Sequence, residues 1–120
     1  MKPFVELDAW KVGLQLVKEV HLLSKKFPRG ERPALVAQMR RSSESILANM
    51  AEGCGRYTYA DRANKFTIAR GECAETEALV LLSSELGFVP QADAKKVLEL
   101  TRRVGQLLSG LIRKSKPISP

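Results

Sequence analysis

The residues best placed to do chemistry form a row on one predicted helix: Gln38, Arg41, Ser45, Asn49 and Glu52, at intervals of 3, 4, 4 and 3. Intervals of three and four bring side chains onto one helix face. Two amides, a guanidinium, a hydroxyl and a carboxylate therefore project together. Such a row can hydrogen-bond a neighbouring helix or subunit, with Asn49 and Glu52 capping backbone near the Gly53–Gly55 turn. It can instead contact RNA or a protein ligand; the structural role is the leading expectation. It is not a catalytic set, because no histidine or cysteine joins it and no two carboxylates face each other.

A second constellation is basic. Arg40, Arg41, Arg56, Arg62, Lys65 and Arg70 are expected around the turn between the second and third helices. Lys95, Lys96, Arg102 and Arg103 belong to a basic strip between Lys95 and Lys116, where seven bases meet Glu99 alone. Lysine and arginine supply most nonspecific affinity for the nucleic-acid backbone, and Tyr57 and Tyr59 beside Arg56 offer rings on which unpaired bases can stack. The competing explanation is a solvated surface paired with the five acids, and no bases, between Gly71 and Ala94. That acid-then-base order can join antiparallel helices or neighbouring subunits.

The remaining chemistry-bearing residues point away from catalysis. His21 is the only histidine, and a zinc site needs three or four ligands. The Gly53–Arg56 stretch, GCGR, lacks the spacing, the lysine and the preceding strand of a phosphate loop. Cys54 and Cys73 are not in CxxC spacing and are expected to be reduced residues within helices. No catalytic, metal or cofactor site is predicted, and the chain is read as a non-enzyme.

These residues must be positioned by helices, since no run of period-two alternation is present. The first helix is expected over about 5–27, with two apolar rows: Leu7, Trp10, Leu14, Val17 and His21 beside Ala9, Val12, Leu16, Val20, Leu23 and Phe27. That is a wider stripe than a monomer needs, so one row can face the core while the other meets a second chain. Phe4, Leu7, Trp10 and Leu14 are the expected core or interface anchors. The second helix is expected over about 32–54, with Pro33 in its first turn and Gly53 or Gly55 free to make a left-handed cap. The third runs over about 59–86 on a row of small residues that admits a close neighbour, starting at a Thr58–Asp61 cap and stopping at Gly87. The fourth runs over about 91–113, followed by a polar tail. Short connections imply antiparallel neighbours, so the fold class is all-α, an up-down-up-down four-helix bundle in one domain.

At 120 residues the chain supports one core, and its 44% apolar and 28% charged content is ordinary for a globular domain. Seven aromatics leave the filling of that core to aliphatics. No apolar run approaches the ~20 residues of a membrane span, and acids follow the first residues too soon for a signal peptide. A cytoplasmic protein with a net charge of +7 is expected.

The segment QMRRSSESILANMAEGCGR, Gln38–Arg56, carries a resemblance to one family. It is similar to the signature Q-[LI]-R-R-A-x-x-S-I-x-x-N-I-A-E-G-x-G-R of the 23S rRNA intervening-sequence proteins. Phe4, Leu7 and Trp10, the Phe27–Pro28 pair, Phe66–Glu75, Leu86–Gly87 and Leu108–Ile112 match in order. Ser42 stands where the family has alanine, and Leu47 where it usually has proline. The second helix should therefore run straighter than in relatives. The resemblance implies a cytosolic homopentamer of four-helix bundles, similar in fold to the accessory protein of diversity-generating retroelements, which binds a reverse transcriptase and nucleic acid. It implies an architecture more firmly than a function. The function expected is a noncatalytic homo-oligomeric scaffold with a basic surface for RNA or DNA, or for a nucleic-acid-processing protein. A protein-interaction adaptor with no nucleic-acid role is the alternative.

Overall fold

Apolar residues at intervals of three and four wind into helices whose buried faces close on one another. The computed structural model describes residues 3–115. A 3₁₀ turn, Phe4–Glu6, precedes α1 (Asp8–Ser24), α2 (Pro33–Cys54), α3 (Tyr59–Glu85) and α4 (Gln91–Lys114), with no strand among the described residues. The polar tail from residue 116, Lys116 included, lies outside them.

Cross-helix partners give the direction of each helix. From α1 to α2, Ser24 meets Arg40 and His21 meets Glu44. From α2 to α3, Ser42 meets Thr76 and Glu52 meets Lys65. From α3 to α4, Arg70 meets Ser109 and Glu77 meets Thr101. Glu19 of α1 meets Lys96 of α4. Along each pair one number rises as the other falls, so neighbours are antiparallel. α1 and α3 touch both other helices but not each other. The bundle is therefore square in section, with α1 and α3 at opposite corners, and measures 55 × 21 × 20 Å.

The core is aliphatic with one large ring. Leu16, Met39, Ile46, Met50, Phe66, Val80, Val97, Val104 and Leu108 are fully buried, each contributing roughly 1.5–3 kcal/mol when wholly removed from water. Of the two α1 rows, Ala9, Leu16, Val20, Leu23 and Phe27 are buried, with Val12 half-buried. Leu7, Trp10, Val17 and His21 are half-buried and Leu14 is exposed.

Two local expectations are corrected. The first helix is shorter than 5–27: extended Leu7 (ψ 136°) separates the Phe4–Glu6 turn from it. At its other end the Ser24 hydroxyl donates to Val20 O at 2.6 Å, and Lys25–Phe27 wind off in i→i−3 bonds. The end of α2 has no left-handed glycine, since Gly55 has φ −87° and Gly53 lies within the helix. Gly53 is small for packing: a Cβ there would lie 2.6 Å from the Phe66 ring. Likewise Leu47 packs where α1 has Gly13, whose added Cβ would meet it at 2.8 Å.

The expected signals at α3 have visible causes. The Thr58 side chain accepts from Asp61 N–H at 3.1 Å. At the other end Gly87 takes φ +79°, Phe88 N–H reaches Ser83 O, and Gly87 N–H reaches Ser84 O. This is the bond pattern that ends a helix on a left-handed glycine.

Candidate nucleic-acid interface

The polar row of α2 turns toward α3 and finds most of its partners within the chain. Arg41 Nε donates to Gln38 Oε1 at 3.1 Å, and its guanidinium reaches Glu72 at 3.3 Å and also Glu75. Glu52 accepts from Lys65 at 2.8 Å. Hydrogen bonding and charge from Lys65, with a lesser contribution from Arg56, hold the Glu52 carboxyl below its ordinary range. Asn49 does not cap the Gly53–Gly55 turn: its amide donates to Ser45 O at 2.9 Å and Ser45 Oγ at 3.1 Å, one turn back. Glu52 does not cap it either, because Lys65 occupies its carboxylate.

Beneath this row lies a seam of hydroxyls and small residues. Ser42 and Thr76 hydroxyls meet at 2.7 Å, fully buried, and Thr76 also donates to Glu72 O at 2.9 Å. Ser83 donates to Leu79 O at 2.7 Å. Among the described residues no buried side-chain nitrogen or oxygen lacks a partner, so this face is closed hydrogen-bond by hydrogen-bond.

The ten basic residues singled out from the sequence do not share one place. Arg40 and Arg41 lie far from the α2–α3 turn: fourteen residues separate Arg41 from Gly55, roughly 21 Å of helix. Arg40 is half-buried against Ser24 of α1 at 3.3 Å. Lys65 is taken by Glu52, Arg70 bonds Ser109 at 3.3 Å, and Lys96 pairs with Glu19 at 3.3 Å. Arg62 Nε donates to Arg56 O at 2.7 Å, and its guanidinium lies 5.8 Å from the Tyr59 ring centre.

Lys95, Arg102 and Arg103 are different. All three are exposed on α4, and no carboxylate pairs with them among the described residues. Arg113 and Lys114 in the last turn are equally exposed and equally unpaired there. Both belong to the seven-base strip between Lys95 and Lys116 that the sequence marks. Arg113 lies eighteen residues after Lys95 and eleven after Arg102, and Lys114 eleven after Arg103, spacings that keep all five within about a third of the helix circumference. The acids of α3 do not neutralise this face. Glu72 and Glu75 turn to α2, and Glu77 accepts from the Thr101 hydroxyl at 3.3 Å.

An apolar feature escaped the sequence reading. Ile68 and Leu82 on α3 and Leu86 at its C-terminal cap are exposed, with Leu79 half-buried beside them. Their offsets of 11, 3 and 4 place them on one row, about a third of a turn round α3 from the small-residue row and on the flank that carries Glu72 and Glu75. Attention to the buried row alone hides them.

Nucleophiles are muted. Burial, and to a lesser degree the charge of Glu77, push the Cys73 thiol up to about 11, and Cys73 donates to Thr101 O at 3.2 Å. Burial also raises the Cys54 thiol. No group of three potential metal ligands occurs among the described residues, nor does a helix long and apolar enough to cross a membrane.

Comparison with known proteins agrees with this architecture. A crystal structure of a protein of unknown function from the S23 ribosomal protein family of Bacteroides thetaiotaomicron VPI-5482 superposes with a TM-score of 0.80 at 24% identity. The match covers 88% of this chain and 98% of that one, and shows the shared fold. No curated protein matches the chain. The family model described as 23S rRNA-intervening sequence protein matches residues 5–110, and the chain belongs to that family.

Proposed function

We propose that the chain is a noncatalytic homo-oligomeric scaffold, cytoplasmic and pentameric as its resemblance implies, that presents the outer face of α4 to nucleic-acid phosphates. The observation that carries this reading is the row of exposed, unpaired bases: Lys95, Arg102, Arg103, Arg113 and Lys114. Glu99 is the acid among them. Nineteen residues separate Lys95 from Lys114, roughly 28 Å of helix, comparable to about eight phosphates along one duplex strand. Charges with no internal partner keep their counterions in the free protein and release anionic ones, with those of the nucleic acid, when phosphates arrive.

Assembly has its own support. Leu14 is exposed on α1 beside half-buried Trp10 and Val17, while Ile68 and Leu82 on α3 and Leu86 at its C-terminal cap are exposed. α1 and α3 occupy opposite corners of the bundle. Two unlike apolar rows on separate helices suit heterologous, head-to-tail contacts, which close into a ring where the rotation between subunits closes. That leaves α4 free to face outward.

The adaptor reading draws on the α2–α3 face, where Arg41 and Lys65 serve pairing within the chain. A mobility-shift series with RNA and with DNA at two salt concentrations separates the two readings. Binding at low salt that weakens steeply at high salt is expected. No binding at low salt leaves the adaptor, and binding indifferent to salt contradicts a phosphate mechanism. Light scattering should give a mass of several chains, reduced to one by Leu82→Asp.

A further inference from the structure

The turn between α2 and α3 is hydrogen-bonded on both sides, yet it holds a ring out in water. Gly55 N–H bonds Ala51 O and Glu52 O, and Arg56 N–H bonds Gly53 O at 3.2 Å. Arg62 Nε ties back to Arg56 O at 2.7 Å, and the Thr58 side chain accepts from Asp61 N–H. Every residue around Tyr57 is thus fixed by a bond of its own. Tyr57 itself is 97% exposed, the most exposed large hydrophobic of the described chain.

Tyr59 differs: it is half as exposed, at 49%, and has the Arg62 guanidinium near its ring. Packing explains Tyr59 and does nothing for Tyr57. An aromatic on a hydrogen-bonded turn, with both faces open, has only its own two side-chain torsions to fix on binding and is suited to stacking.

Its surroundings say what would stack there. Arg56 is exposed and has no carboxylate partner among the described residues, and Arg62 lies on the same turn. Asp61 in the first turn of α3 and Glu52, already held by Lys65, are the nearby acids. The antiparallel pairing of Arg70 with Ser109 puts this turn at the same end of the bundle as Arg113 and Lys114. At 1.5 Å per residue, the start of α3 projects about 9 Å past the last turn of α4.

We propose that the α2–α3 turn binds an unpaired nucleobase, stacked on Tyr57 with its flanking phosphate at Arg56 and Arg62, and so favours single-stranded over duplex nucleic acid. This rests on the basic-face reading of α4, along which the rest of the strand would run. A duplex has its base faces already covered and gains nothing from the ring. Stacking tolerates any base, so the preference is for strandedness and not for sequence.

The test compares a labelled RNA strand, the DNA strand of the same sequence, and the duplex of each, by fluorescence anisotropy at low salt. Wild type should bind the strands more tightly than the duplexes. Tyr57→Ala should weaken strand binding about tenfold and leave duplex binding unchanged, with Tyr57→Phe close to wild type. Equal losses on strand and duplex, no loss on either, or a changed oligomer mass in Tyr57→Ala would each overturn the assignment. Arg102→Glu/Arg103→Glu separates the two levels. If it abolishes all binding while Tyr57→Ala changes none, the turn site alone falls. If wild type binds neither strand nor duplex, the α4 reading falls and takes the turn site with it.

Discussion

The face between α2 and α3 and the outer face of α4 are both rich in charge, and they use it in opposite ways. On the first, Arg41 spans to Glu72 and Glu75, Lys65 to Glu52, and hydroxyls close the seam beneath. On the second, five bases stand in water with no carboxylate paired to them among the described residues. Paired charges define how two helices sit, whereas unpaired ones leave folding largely indifferent to them and stay available to a partner. Charge content alone does not separate the two roles; the position of the acids does.

Four substitutions probe that difference, beginning with packing. Gly53→Ala drives a Cβ to 2.6 Å from the buried Phe66 ring at the α2–α3 seam. Overpacking costs about 1–3 kcal/mol, more than the roughly 1 kcal/mol that alanine returns in helix propensity, so the urea midpoint should fall. Gly105→Ala on α4 meets nothing within 4 Å. It should raise stability by about 0.8 kcal/mol, and a loss there would blur the contrast between the two regions.

Arg41→Gln removes the partner of two carboxylates that lie on one helix turn. Half-exposed as they are, the loss should be about 0.5 kcal/mol, fading at high salt, with nucleic-acid affinity unchanged. The smallest effect is that of pH on Glu52. Its folded carboxyl titrates below its unfolded value, so the Lys65 contact stabilises the fold above the ordinary glutamate range. That contribution is lost as pH falls through the lowered folded value. Wild type should exceed Glu52→Gln in melting temperature near neutral pH, and the gap should close as pH falls below the ordinary glutamate range.

The bundle itself was legible because each cue is local. Interval patterns mark the helices, Thr58 and Gly87 mark the ends of α3, and short connections force neighbours to run antiparallel. Apart from the bounds of the first helix, the misreadings concern what a residue touches. Gly53 looks like a cap until Phe66 is seen against it. Asn49 looks like a turn-former until its amide is found bonded to Ser45. Arg40 and Arg41 were grouped with Arg56 by composition, although a helix carries them about 20 Å away. The exposed row from Ile68 to Leu86 was hidden because one α3 row already accounted for burial. Spacing reports which residues share a face; it does not report which face another helix covers.

The claim that α4 and not the α2–α3 face meets phosphate is tested most directly by the salt dependence of RNA and DNA affinity in Arg102→Glu/Arg103→Glu beside Arg41→Gln. The α4 variant should fold normally, bind at least tenfold more weakly, and lose about two units of slope in the logarithmic salt plot, while Arg41→Gln keeps the wild-type slope. An unchanged slope in the α4 variant, or a slope lost in Arg41→Gln instead, would contradict the account.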